Sequence, residues 1–114
     1  MTQRFPAELL KGTTELVVLA ALARESLHGY GLIQALKQLS GDRFRLNEGS
    51  LYPLLHRLER EQKVRSKTEQ TGARSRRSYE ITADGREELV RRLAEWTDSA
   101  TVLERLVATK PEMP

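Results

Sequence analysis

The chain has 114 residues and a net charge of +3, with 39% hydrophobic and 31% charged residues, which fits one small globular domain and leaves no room for a second. It has no cysteine, which excludes disulfides, thiolate catalysis and cysteine-based zinc sites and agrees with a reducing compartment. The longest apolar run, Leu16–Ala23, is far shorter than a bilayer requires, and the N-terminus lacks a signal-type apolar stretch, so the sequence predicts a cytoplasmic protein with no membrane partner.

The first predicted element is a helix from Glu8 to Arg24, which follows a short N-terminal arm at residues 1–7. The second half of this helix is apolar around most of its circumference, through Leu16, Val17, Leu19, Ala20, Leu22 and Ala23. A helix of this kind lies in a core or under a subunit interface.

The pattern then breaks at Leu27–Gly31, which contains two glycines. A second amphipathic helix follows from Leu32 to Leu39, and Gly41 is the predicted residue that ends it. The segment Phe44–Leu46 is predicted to form a very short strand.

The third helix has the clearest local pattern, with a buried stripe formed by Leu51, Leu54, Leu55 and Leu58. Ser50 is the predicted N-cap, and Pro53 is placed in the first turn, where its missing N–H costs little. The opposite face carries Tyr52, Pro53, His56, Arg57 and Arg60. Two short helices with the second polar outward predict a helix-turn-helix with a longer turn than usual.

Two antiparallel strands are predicted next, at Val64–Gln70 and Arg77–Thr82, joined by a loop at Thr71–Ser75. Val64, Tyr79 and Ile81 are the side chains expected to point inward.

Positive charge is concentrated in this hairpin. The fifteen residues Lys63–Arg77 contain six basic residues and one acid, a local charge of +5, so the rest of the chain sums to −2. Cations that neutralise phosphates supply much of the affinity for nucleic acids. A helix followed by a basic hairpin therefore favours binding to double-stranded DNA.

The last predicted helix spans residues 83–107, begins after Thr82 as its cap and precedes a tail at 108–114 that is expected to be disordered. Its apolar residues are spaced 4, 3, 4, 3 and 4 apart, which is a heptad seam, formed by Leu89, Leu93, Trp96, Ala100, Leu103 and Val107. A seam of this length extends past a small domain and predicts a partner helix. Self-association into a homodimer is the simplest way to supply one.

Three stretches resemble the PadR family of bacterial transcriptional regulators, named for the regulator of phenolic acid decarboxylase. They are His28–Leu32 (HGYGL), Gly49–Glu59 (GSLYPLLHRLE) and Tyr79–Arg86 (YEITADGR), within a similarity that covers roughly residues 8–100. The resemblance implies a fold that is mostly α with a small β-hairpin wing. It is a winged helix-turn-helix at residues 8–82 followed by one C-terminal dimerisation helix.

The resemblance also implies a homodimer that binds a near-palindromic operator and most often represses a nearby gene. In such proteins the third helix enters the major groove and the wing contacts the backbone or minor groove. The DNA-contacting residues that this implies here are Ser50, Tyr52, Pro53, His56 and Arg57 on the helix, and Lys67, Arg74, Arg76 and Arg77 on the wing.

Several of these residues have an alternative interpretation. The wing arginines can form a merely solvated surface, and Lys63 and Arg65 at the base of the hairpin fit that description best. Arg57 either donates to a base edge or pairs with Glu61 one turn along the helix. The ring of Tyr52 either packs in the domain or brings its hydroxyl to a phosphate. His56 can approach DNA, whereas His28 is expected to be structural.

Trp96 is the only tryptophan. It either packs in the seam or, with its counterpart in a dimer, flanks a slot for a small aromatic or cationic effector. No metal site, cofactor or catalytic set is expected, because the chain lacks ligand clusters, a nucleophile–base pair and a glycine-rich phosphate loop. The alternatives to a sequence-specific regulator are a winged helix used for protein–protein contact and a non-specific DNA-binding protein.

Overall fold

The structure, a computed structural model, describes residues 7–108 and the side chains of all of these except 7–12 and 71. The helices are α1 (Ala7–Arg24), α2 (Gly29–Leu39), α3 (Glu48–Arg60) and α4 (Ala83–Ala108), and the strands are β1 (Leu27–His28), β2 (Val64–Thr71) and β3 (Arg74–Ile81). Helices packed on a small antiparallel sheet confirm the predicted winged helix. The predicted arm and tail lie, apart from Ala7 and Ala108, outside the described residues.

The core forms where α1 crosses the other elements. Val18, Leu19 and Leu22 of α1 are almost completely buried, which confirms that this helix, apolar on most sides, lies inside the domain. They pack with Leu36 of α2 and the inward residues of α3 and the sheet. Within the described residues, no helix is both long and apolar enough to cross a bilayer.

The sheet has the strand order β1-β3-β2, and both pairings are antiparallel. The predicted inward residues Val64, Tyr79 and Ile81 are buried as expected. The strands of the hairpin are longer than predicted, because pairing continues to Thr71 and Arg74 and leaves only Gly72 and Ala73 in the turn. Gly72 has a φ of +64°, the left-handed conformation that tight two-residue turns require and glycine adopts without strain.

Two predictions near α2 were wrong. The segment Leu27–Gly31 is not simply a break, because Leu27 and His28 form β1, which pairs with Tyr79 and Ser78, and α2 already begins at Gly29. The segment Phe44–Leu46 is not a strand; Phe44 instead buries its ring in the core. A two-residue strand has no periodicity to detect, and an isolated apolar residue in a loop can anchor that loop without forming a strand.

The start of α3 also differs from the prediction. Asn47, and not Ser50, is the N-cap, and its side chain accepts a hydrogen bond of 2.9 Å from the backbone N–H of Ser50. Pro53 therefore lies in the second turn, where it leaves the carbonyl of Gly49 without a helical donor. Both residues are exposed, so water can satisfy that carbonyl. The predicted leucine stripe is confirmed, with Leu51, Leu55 and Leu58 fully buried and Leu54 partly buried.

Helix α4 is held against the hairpin by its first turn. Thr82 caps it as predicted, with its hydroxyl accepting a hydrogen bond of 3.0 Å from the N–H of Gly85. Gly85 is needed because a Cβ there would lie 2.1 Å from the carbonyl oxygen of Lys63. This close approach fixes the direction in which α4 leaves the winged helix.

Candidate nucleic-acid interface

The outward face of α3 is polar and open. Ser50, Pro53 and His56 are exposed on it, and so is Arg60, which makes no ion pair with any described side chain. The sequence pattern places Arg60 on this face but does not mark it as a DNA contact. These four residues follow helical spacing, so together they present one surface that a DNA groove can receive.

Tyr52 lies at one edge of that face and packs against the start of α2. A Cβ on Gly29 would lie 2.2 Å from the Tyr52 hydroxyl oxygen, so only glycine fits beneath this ring. Two of the three family-like stretches therefore meet at this contact. The packing interpretation of Tyr52 holds for its ring, which lies against the core.

Arg57 lies at the opposite edge and is engaged by two carboxylates. Its guanidinium is 3.2 Å from Glu61 and 3.5 Å from Glu15, so the ion pair with Glu61 considered from the sequence is present. A base contact by Arg57 would have to compete with these two partners.

Glu15 is the centre of a larger charged cluster. It is only 6% exposed, and three cations from three parts of the chain approach it: Arg92 at 2.9 Å, and Arg57 and Lys63 at 3.5 Å each. The cluster, completed by Glu61 and Glu88, joins α1, α3, α4 and the start of β2. A hydrogen bond from Lys63 lowers the pKa of Glu61, and one from Arg91 lowers that of Glu88.

Replacing Glu15 with glutamine is expected to lower the free energy of unfolding by about 2 to 3 kcal/mol, because three cations lose their shared carboxylate. The loss stays below that of a fully buried pair because the cations are partly exposed. Urea denaturation measures it. Glu95→Gln is the matched control, since Glu95 is exposed and, among the described side chains, pairs only with Arg91. This change should cost less than about 0.5 kcal/mol. Equal small losses in both variants would show that the cluster does not stabilise the fold.

The basic residues of the hairpin separate into two groups. Lys63 belongs to the Glu15 cluster and is only partly exposed, so its interpretation as an ordinary surface residue is wrong. Arg65 is exposed and pairs with Glu80 at 2.8 Å, in keeping with that interpretation. The other four are exposed and make no ion pair with any described side chain: Lys67, Arg74, Arg76 and Arg77. Even Glu69, which lies opposite Arg76 in the strand register, forms no ion pair with it.

The base of the hairpin is firmly packed. Tyr79 is buried, and burial raises the pKa of its phenol while the nearby Arg77 acts in the opposite direction. Ser78 is also buried, lies opposite His28 on β1, and its hydroxyl donates to the carbonyl of Lys67. The free cations therefore extend from a fixed base.

Helix α4 carries the predicted seam beyond the body of the domain. Leu89 packs on the core, whereas Leu93, Trp96, Leu103 and Val107 are between 48% and 72% exposed in the single chain. An exposed apolar row of this size is a candidate interaction surface. Within the described residues no group of three or more His, Asp or Glu side chains is arranged to hold a metal ion.

The sequence matches the family model of PadR-like transcriptional regulators over residues 18–91. The chain belongs to the PadR-like family. A transcriptional regulator from Mycobacterium tuberculosis is 35% identical over 79 residues, which are 69% of this chain and 71% of that protein. A transposon protein from Streptomyces fradiae is 46% identical over 77 residues, but this chain spans only 21% of that protein's length.

Solved structures agree with this assignment. A PadR family regulator from Eggerthella lenta has a TM-score of 0.76 at 30% identity, covering 94% of this chain and 88% of that one. A PadR-like regulator from Bacillus cereus has the same TM-score at 28% identity, covering 89% and 97%. PadR-like proteins are DNA-binding regulators and not enzymes, so membership confirms the predicted transcriptional regulator and implies DNA binding.

Proposed function

We propose that this PadR-like regulator is a homodimeric repressor that binds a near-palindromic operator through α3 and the β2–β3 hairpin. The proposal is supported by the four exposed hairpin cations that make no ion pair with a described side chain, together with the open face of α3. The proposed DNA-contacting residues are Ser50, Tyr52, Pro53, His56 and Arg57 on α3, and Lys67, Arg74, Arg76 and Arg77 on the hairpin. A comparison of its affinity for its own upstream DNA and for scrambled duplex tests it.

The dimer in this proposal forms along the seam of α4, through Leu89, Leu93, Trp96, Ala100, Leu103 and Val107. Two such helices would bury the exposed apolar row that the single chain leaves in water, at a gain of roughly 25 cal/mol per Å². The two α3 helices would then reach half-sites about one helical turn, or ~34 Å, apart. A two-fold symmetric protein accounts for a near-palindromic operator.

The proposal also includes a small aromatic or cationic effector that binds beside Trp96. Its indole is 48% exposed in the single chain, and in a seam it would face its counterpart across the two-fold axis. Two indole faces can stack on a flat aromatic ring or hold an organic cation. Because Trp96 is the only tryptophan, binding of such a compound is expected to quench the intrinsic fluorescence and to weaken operator binding. Quenching with no change in operator affinity would contradict a regulatory role.

A winged helix that docks an acidic protein, or a non-specific DNA-binding protein, would also use exposed cations. The operator comparison separates them, because only a sequence-specific regulator retains a large preference for one duplex at physiological salt. Arg57 would have to give up its two ion pairs to reach a base, whereas His56 and Ser50 face solvent directly.

A further inference from the structure

A cleft separates the first turns of α2 from β3. It has a volume of about 490 Å³ and is lined by His28, Tyr30, Gly31, Gln34, Arg76 and Arg77. We call it the α2–β3 cleft. Its position follows from the sheet register, since β1 pairs with β3 only as far as His28 and Ser78. Beyond that pair the chain turns into α2, so on this edge of β3 the next residues, Arg77 and Arg76, lie beside the helix, while the other edge remains paired with β2.

The chemistry of this cleft suits an anion. Two of the lining residues are arginines, which present several N–H donors to phosphate oxygens, and neither makes an ion pair with a described side chain. Tyr30 is 62% exposed and Gln34 is also exposed, so a hydroxyl and an amide are available as further donors. None of the six lining residues is acidic.

One polar atom at the cleft has no partner. The ring nitrogen Nδ1 of His28 is buried and makes no hydrogen bond with any described residue. Buried polar atoms of this kind are rare. In addition, α2 starts without a side-chain cap or an acidic residue in its first turn, so nothing there repels an anion.

A second groove on α2 provides a contrast. It also contains Tyr30 and Gln34 but is completed by Ile33, Lys37, Gln38, Gly41 and Asp42. The Asp42 carboxylate pairs with Lys37 in this groove and with Arg45 beside it. That groove therefore lacks the uncompensated positive charge of the α2–β3 cleft. The two grooves share one helix, which makes matched variants possible.

We propose that the α2–β3 cleft receives one phosphodiester group of the DNA backbone, with Tyr30 and Gln34 donating hydrogen bonds beside Arg76 and Arg77. This inference rests on the proposed function and adds a backbone clamp on α2 to it. The clamp would hold the duplex between helix α2 and the hairpin. It would thereby fix the depth at which α3 enters the groove.

Gln34→Glu tests the clamp by placing a carboxylate in the cleft, and Gln38→Glu makes the same change one turn further along the helix. Affinity for the upstream duplex and for a scrambled duplex is measured by fluorescence anisotropy at about 0.1 M salt. The cleft variant is expected to bind both duplexes about tenfold more weakly, and the control less than about threefold, because salt screens the more distant charge. Both positions are exposed, and thermal unfolding checks that each variant is folded.

Phosphate ethylation interference supplies the second readout. With the unaltered protein, ethylation of the phosphate held in the cleft should block binding in each half-site. In Gln34→Ala the interference at this phosphate should weaken, while the interference at phosphates contacted by other residues should remain. Equal losses in the two glutamate variants, or no loss in either, would overturn the clamp. A further outcome is that the unaltered protein prefers its upstream duplex while Gln34→Glu binds both duplexes with the same affinities as the unaltered protein. That result would contradict the clamp and leave the proposed function standing. If Gln34→Glu lowers the affinity for both duplexes and the unaltered protein prefers neither of them, the clamp stands and only the proposed sequence specificity is contradicted.

Discussion

Replacing Arg74, Arg76 and Arg77 together with alanine is expected to lower the affinity for duplex DNA by about a thousandfold for each bound protomer. Each side chain is exposed and pairs with none of the described carboxylates, so its charge is available to a phosphate. A hydrogen bond to a charged group contributes at least about 1.5 kcal/mol, and three losses give this factor. The logarithmic salt dependence of binding should also become shallower by about three per protomer, because fewer counterions are released.

The matched control removes three arginines from another part of the surface. Arg24, Arg86 and Arg91 are exposed, and none lies on α3 or the hairpin. Their replacement lowers the net charge by the same amount but should reduce the affinity by less than about tenfold. Anisotropy titrations over a salt series measure both quantities. Equal effects of the two triple variants would contradict the assignment of the hairpin as the DNA-contacting surface.

Leu103→Glu is expected to weaken dimer formation at least about a hundredfold. The leucine is 62% exposed in the single chain and lies in the seam of α4, so in a symmetric dimer the change removes two buried leucines and introduces two carboxylates. Operator affinity should fall with it, because a monomer contacts one half-site. Sedimentation equilibrium measures the dimer constant.

Val102→Glu is the control for the seam. Val102 is the adjacent residue, is 55% exposed and lies off the heptad pattern, so the same carboxylate there should leave the dimer almost unchanged. The unfolding of each variant's single chain should resemble that of the unaltered protein, since neither side chain packs in the core. A dimer that survives Leu103→Glu but not Val102→Glu would place the interface on another face of α4.

Local patterns in the sequence were enough to predict much of this fold. The leucine stripe of α3, the inward residues of the hairpin and the Thr82 cap each depend on spacings within one element, and the structure has them as predicted. The N-cap of α3 was misplaced because the apolar stripe begins only at Leu51, whereas the cap at Asn47 lies several residues earlier. Capping depends on backbone geometry that an apolar pattern does not report.

The parts of the site that were missed depend on contacts between distant segments. Nothing near Arg57 in the sequence indicates that Glu15 will approach it from α1, and Gln34 gains its significance only because β3 lies beside α2. Gly29 likewise looks like a helix breaker until the ring of Tyr52 is seen above it. Such pairings arise from tertiary packing. The type of each residue can be read from the sequence, but the distant residue that it will contact cannot.

In the proposed function, the exposed face of α3 and the four hairpin cations Lys67, Arg74, Arg76 and Arg77 together read a DNA site. The most direct test is fluorescence anisotropy of the purified protein on DNA from its own upstream region, beside a scrambled duplex, across a salt series. Binding to the upstream duplex is expected to be ~10³-fold tighter, with a preference that persists at physiological salt. Equal binding to both duplexes that disappears as salt is raised would contradict the claim and reduce the hairpin to a non-specific electrostatic surface.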